Sequence, residues 1–262
     1  MTSFRILAIN MDDRPDKWDS LLERFHVPVE RVSGVDLGRH PTLYTEAVVN
    51  GKHPDVPLTK TGWVGLGLAH LKAWELVAQR TTPHLILEDD VRPNENWSDA
   101  IEFLSRTFSD FDLFLLNALR PHGVDVGHGV LQVDTSVDAH AFRGRMSNVW
   151  LSSYLLSPKG AASLLQIVKR AQHDLNHIQF DHALMRALGK SNANVYVVST
   201  TNRYFLHDET DSDKERLNQQ RRTDKERLPK GEVVLPIVLF GLLLLVLVFA
   251  YGRTRVPRKT RT

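Results

Sequence analysis

Three adjacent carboxylates, Glu88, Asp89 and Asp90, close the apolar run in LILEDDV. Like charges this close repel one another. A hard divalent cation with oxygen ligands, Mn2+ or Mg2+, relieves that cost. Held there, it would bind a diphosphate and offset charge on a leaving nucleotide. The competing reading is an acidic, solvated turn. The chain has no cysteine, which excludes a thiol nucleophile, a cysteine-ligated zinc site and a disulfide scaffold. It also lacks a Walker-type glycine loop, HExxH and GxSxG, so a metal-dependent phosphotransferase or hydrolase is disfavoured.

The elements that must position these groups read as alternating strands and helices. Phe4–Ile9 is an apolar strand ending at Asn10, followed by the turn MDDRPDK. Trp18, Leu21, Leu22 and Phe25 then mark one face of a helix, with Pro15 in its first turn. Val27–Val32 is a second strand leading to SGVD and Asp36, and Leu37–Thr61 is expected to be largely loop. Further helices are expected over Leu66–Arg80, from Trp97 to Phe108, over Pro158–Arg170 and over Phe180–Leu188. Further strands are expected at Leu85–Leu87, Asp112–Leu116 and Val195–Val198. This order predicts an α/β fold, a mostly parallel sheet flanked by helices. Ligands of such sheets bind beyond the carboxyl ends of strands, where Glu88–Asp90 falls.

Charge divides the chain. From Lys214 to Thr262 there are 12 Lys/Arg against 4 Asp/Glu, a net of +8, which leaves the rest at −6. A nucleic-acid-binding body is therefore disfavoured and a membrane-facing tail favoured. Val233–Tyr251 is 19 residues without a charge. As a helix it would span roughly 28 Å, close to a bilayer core. The expected organisation is a body over 1–213, a charged stalk over 214–232, a transmembrane helix over 233–251 and a basic tail over 252–262. The stalk repeats DKERL at Asp213–Leu217 and Asp224–Leu228, and its basic residues suit anionic headgroups. MTSFRILAIN holds no long apolar signal region. The expectation is a single C-terminal anchor in membrane lipid, with the body cytoplasmic.

Taken in order, INMDDRPDKW, RVSGVD, GWVGLGLAHLKAWE, LILEDDV, SSYLLSPKGAASLL and FDHAL resemble glycosyltransferase family 25, over about Ile6–Asp213. That family includes bacterial lipooligosaccharide sugar transferases and collagen galactosyltransferases. Asp13 stands where the family usually has a basic residue, Trp63 where it has an acidic one, Leu66 for a cysteine and Ala69 for a serine. The resemblance implies a nucleotide-sugar-binding fold of the glycosyltransferase A type. It also implies inverting transfer of a hexose, galactose or glucose, from a nucleotide sugar such as a UDP-hexose. The acceptor would be a hydroxyl of a glycan, glycolipid or glycoprotein. The alternative is an inactive, membrane-tethered adaptor that binds sugar or nucleotide.

Carried over residue by residue, Asp89 and Asp90 are the metal and diphosphate candidates, with Glu88 in support. Asn10 and Arg14 would line the nucleotide pocket, or else Arg14 is a surface charge. Asp36 accepts from ribose or base, or else forms the turn. Gly65 permits close approach of its helix to a ligand or strand. His70 is a ligand contact or a packing histidine. Asp181 matches the late aspartate and is the candidate base for the acceptor hydroxyl, or else a helix cap. His207, in FLHDE, is a further metal candidate.

Overall fold

The structure is a computed structural model and describes residues 4–36, 61–134, 148, 151–170, 180–189, 191–199 and 204–207. The chain divides into two units, Met1–Ser212 and Asp213–Thr262. Every described residue lies in the first. The Val233–Tyr251 segment lies outside the described residues, and among those residues no helix is long and apolar enough to cross a membrane.

The strands are β1 (Arg5–Asn10), β2 (Glu30–Ser33), β3 (His84–Glu88), β4 (Val91–Pro93), β5 (Leu113–Leu115), β6 (Val124–Gly127), β7 (Val130–Gln132), β8 (Ser153–Leu156), β9 (Val195–Val198) and β10 (Phe205–His207). The helices are α1 (Pro15–Phe25), α2 (Thr61–Ala78), α3 (Trp97–Thr107), α4 (Pro158–Arg170) and α5 (Phe180–Leu188). One sheet takes the order β2-β1-β3-β8-β5-β9-β7-β6, and β10 pairs with β4 in a second.

The sheet is mixed, not mostly parallel as expected. β1 runs parallel to β2 and β3, and β5 parallel to β9. β8 lies antiparallel between β3 and β5, and the β6–β7 hairpin extends the far edge antiparallel to β9. The difference is local in origin. SYLL is buried at all four positions, so it shows no alternation to mark it as a strand before the proline of α4. VDVG is exposed at all four and is held by its hairpin rather than by a core.

The pleat sorts the core into two layers. Leu7, Ile9, Ile86, Leu113, Leu115, Tyr154 and Val197 face the layer of α2, α4 and α5, where Ala69, Ala73, Trp74, Leu164 and Leu184 pack. Ile6, Ala8, Leu85, Leu87, Phe114 and Leu155 face α1 and α3, where Leu21, Phe25, Trp97, Ile101 and Leu104 pack. Because β8 is reversed, its amino end joins the carboxyl ends of β1, β2, β3, β5 and β9 along one edge.

His84 opens β3 at the opposite edge and is fully buried. Its Nδ1 donates to the carbonyl of Thr82 at 2.9 Å, and Nε2 makes no hydrogen bond. Burial pushes this imidazole below its ordinary 6.5. The unfolded chain then protonates at higher pH than the folded one. Stability should hold above pH 6.5 and fall as pH drops below it. Denaturation midpoints at about pH 7.5 and 5.5 should therefore differ more in the wild type than in His84→Gln. Equal differences would remove His84 from the acid sensitivity.

Candidate active site at the carboxyl edge of the sheet

The three carboxylates do not converge. The pleat turns Glu88 toward α2, where its Oε1 lies 3.5 Å from Nε2 of the fully buried His70. Asp89 turns toward α1. Its Oδ2 accepts from Asn10 Nδ2 at 2.7 Å, and its Oδ1 lies 3.8 Å from the ammonium of Lys17. Lys17 is only 2% exposed, so the pair is largely shielded from water. Arg24, in the last turn of α1, donates to the carbonyls of Asp89 and Val91 at 2.9 and 2.8 Å. Asp89 and Asp90 are both buried. The acidic turn is thus strapped to α1 from beneath, and Glu88 and Asp89 face different partners.

Asn10 closes β1 and is 1% exposed. Its amide nitrogen donates to both Asp89 and the Arg14 carbonyl, which fixes the orientation of the amide. Its Oδ1 is buried without a hydrogen-bond partner. Arg14 precedes α1 and holds Asp16 in a fork, Nε to Oδ1 at 2.9 Å and Nη2 to Oδ2 at 2.8 Å. That guanidinium lowers the Asp16 carboxyl to about 2.

Asp36 follows β2 and is half-buried. Gly65 brings α2 against the same loop: a Cβ there would lie 2.1 Å from the Val35 carbonyl oxygen. The close approach expected of this glycine is therefore to backbone. His70 is closed off from solvent and shares a 2.9 Å hydrogen bond with the Tyr154 hydroxyl. Asp181 lies inside the first turn of α5, with Oδ1 accepting from the His182 N–H at 2.8 Å. Its neighbour Phe180 stacks on His70 at 5.8 Å, which brings the start of α5 to α2. β10 pairs with β4 so that His207 stands opposite Val91, one residue beyond Asp90.

Among the described residues, no group of three or more acidic, histidine or cysteine side chains assembles into a metal cage. Magnesium and manganese sites at phosphates do not require one. One or two carboxylates, waters and substrate oxygens complete their shell.

Sequence reasoning passed over Lys17, Arg24, Tyr154, Asn117 and Ser152. Lys17 had a legible signal: it precedes Leu21 and Phe25 at intervals of four, on the buried face of α1. A lysine on such a face needs an anion. Asn117 and Ser152 meet at 3.3 Å beside the acidic strand, where Ser152 also accepts from the Glu88 N–H. Only the reversed β8 brings them there.

An α/β sheet with its polar and acidic side chains gathered at the carboxyl edge has the layout of a ligand-binding α/β protein. The chain belongs to glycosyltransferase family 25 (LPS biosynthesis protein), whose model matches residues 4–184. A protein of Acanthamoeba polyphaga mimivirus, named as a glycosyltransferase, is 24% identical over 168 residues. The match covers 62% of this chain and 52% of that protein, so the chain spans about half the length of the relative. Among solved structures, a glycosyltransferase involved in glycosylation of the PBCV-1 major capsid aligns with a TM-score of 0.41 at 8% identity. It covers 83% of this chain and 98% of that one. Mouse xyloside xylosyltransferase 1 aligns with a TM-score of 0.41 at 11% identity, covering 76% and 73%.

Proposed function

We propose that this protein transfers a hexose, galactose or glucose, from a UDP-sugar to a hydroxyl of a glycan, glycolipid or glycoprotein, with inversion. The carrying observation is that the family's matched segments place Asn10, Asp36 and Glu88–Asp90 along one sheet edge. The orphaned Asn10 Oδ1 is an acceptor for a donor N–H or O–H, since a buried acceptor left unmade costs about 1–3 kcal/mol. Arg14 exchanges Asp16 for a diphosphate oxygen, a pairing its fork geometry suits. Asp36 accepts from ribose or base.

Asp90 and His207 are the residues proposed to hold Mn2+ or Mg2+, with Asp89 as the buried support of their turn. The pairing of β10 with β4 sets the His207 backbone opposite Val91, the residue after Asp90. When bound, the cation would neutralise charge on the leaving diphosphate. Asp181 is proposed to take the acceptor proton as the hydroxyl attacks the anomeric carbon.

The test is a screen of nucleotide-sugar donors with the full chain, with and without chelator. Turnover of a UDP-hexose should vanish on chelation and return with manganese. Full activity after exhaustive chelation would reject the metal. Donor binding without turnover would support the inactive adaptor instead.

We further propose that Val233–Tyr251 anchors the chain in membrane lipid with the body on the cytoplasmic side. Its length and lack of charge support this. Deleting it should release a folded body from membranes. Protease added from the non-cytoplasmic side should spare residues 1–213, and cleavage there would reverse the orientation.

A further inference from the structure

We infer that His70 is a positioning residue for Glu88, wired through Trp74 and Tyr154, and that Glu88 presents its outer oxygen to a hydroxyl of the transferred sugar. The sugar contact rests on the transferase reading above; the wiring does not.

His70 is 0% exposed, so its influence on the sheet edge runs through Glu88. Its protonation pattern follows from its neighbours. The Trp74 indole N–H, which only donates, gives its proton to the Tyr154 oxygen at 2.8 Å. Tyr154 has one proton of its own, and burial raises this phenol well above its ordinary range, so the proton stays. The acceptor within reach is His70 Nδ1, at 2.9 Å. Nδ1 therefore accepts, and the imidazole proton sits on Nε2. That atom is buried, has no hydrogen-bond partner in the interior, and lies 3.5 Å from Glu88 Oε1. A closure of a few tenths of an ångström makes it a charge-assisted hydrogen bond. Such bonds are often long before substrate arrives.

The ring has little freedom to turn away. Phe180 lies against it with planes 4° apart. Gly67 lets α2 meet that phenyl ring so closely that a Cβ would come within 2.8 Å. The Glu88 side chain, at 19% exposed, reaches from this closed interior to the sheet edge. With Oε1 held by a neutral N–H, the carboxylate keeps one oxygen inward and one for a hydroxyl.

The experiment has two arms on the full chain. Nitrogen-15 NMR of the histidine rings should show His70 as the neutral Nε2–H tautomer, and Tyr154→Phe should convert it to a mixture. An Nδ1–H form in the wild type would overturn the wiring. Kinetics with a UDP-hexose form the second arm. His70→Leu and Tyr154→Phe should lower kcat about 10- to 100-fold, the scale set by misplacement of a reacting group by up to 1 Å. His70→Gln, which keeps an N–H toward Glu88, should recover part of the loss. A role in packing alone would leave His70→Leu no worse than His70→Gln, and that ranking would overturn the positioning role. Should His70→Leu fail to fold, Tyr154→Phe against wild type decides the same point. A wild type inert toward every donor overturns the transferase reading and the sugar contact together, while the tautomer still decides the wiring.

Discussion

Asp181→Asn should keep the fold and the donor affinity and lose transfer by about 10²–10⁴-fold, the usual worth of general-base help. Asparagine preserves size and an acceptor for the His182 N–H, so the substitution tests charge. Asp181 lies within the first turn of α5, where the unpaired N–H groups favour an anion by about 0.3–1 kcal/mol. A purely structural role would therefore cost a small fall in melting temperature and leave turnover of the folded protein intact. Both quantities measured on one sample separate the two. Normal turnover would remove Asp181 from the mechanism.

Asp89→Ala should destabilise the fold by about 3–5 kcal/mol, because it withdraws the carboxylate that offsets a buried ammonium. Asn10 Nδ2 would lose its 2.7 Å acceptor as well. Replacing both charges, Asp89→Asn with Lys17→Met, should recover much of the stability, since a buried pair exchanged for neutral groups of similar volume is often neutral. Urea denaturation of the single and double variants measures this. A loss under about 1 kcal/mol in Asp89→Ala would mean that the Lys17 head reaches water along its stem. In that case the strap from α1 rests on Arg24 alone.

The elements whose apolar residues recur at helical spacing were legible. α1, α3, α4 and α5 fall close to the expected Trp18–Phe25, Trp97–Phe108, Pro158–Arg170 and Phe180–Leu188, and β9 lies at Val195–Val198. α2 begins at Thr61 rather than Leu66, because GWVG carries no polar break to stop the helix. The acidic turn was legible as a strand end, but its partners were not. Sequence adjacency suggested that Glu88 and Asp89 act together. The pleat sends one to His70 and the other to Asn10 and Lys17, through contacts between residues far apart in the chain. Tyr154 was hidden for a related reason. A buried tyrosine in an apolar run looks like core until its hydroxyl is seen between Trp74 and His70.

The reversed β8 also governs when the protein can exist. Its register joins Leu85 to Leu155 on one side and Phe114 to Leu155 on the other. Until residue 156 has left the ribosome, the middle of the sheet has two open strand edges and no Tyr154 beneath His70. Helices such as α1 and α3 can form earlier, but they have only half a sheet to pack on. Contacts of such long sequence separation slow folding, because loop closure precedes the pairing that rewards it. Strand edges exposed meanwhile invite association with other chains. Synthesis therefore passes through an interval of open strand edges that SYLL begins to close and β9, at Val195–Val198, completes.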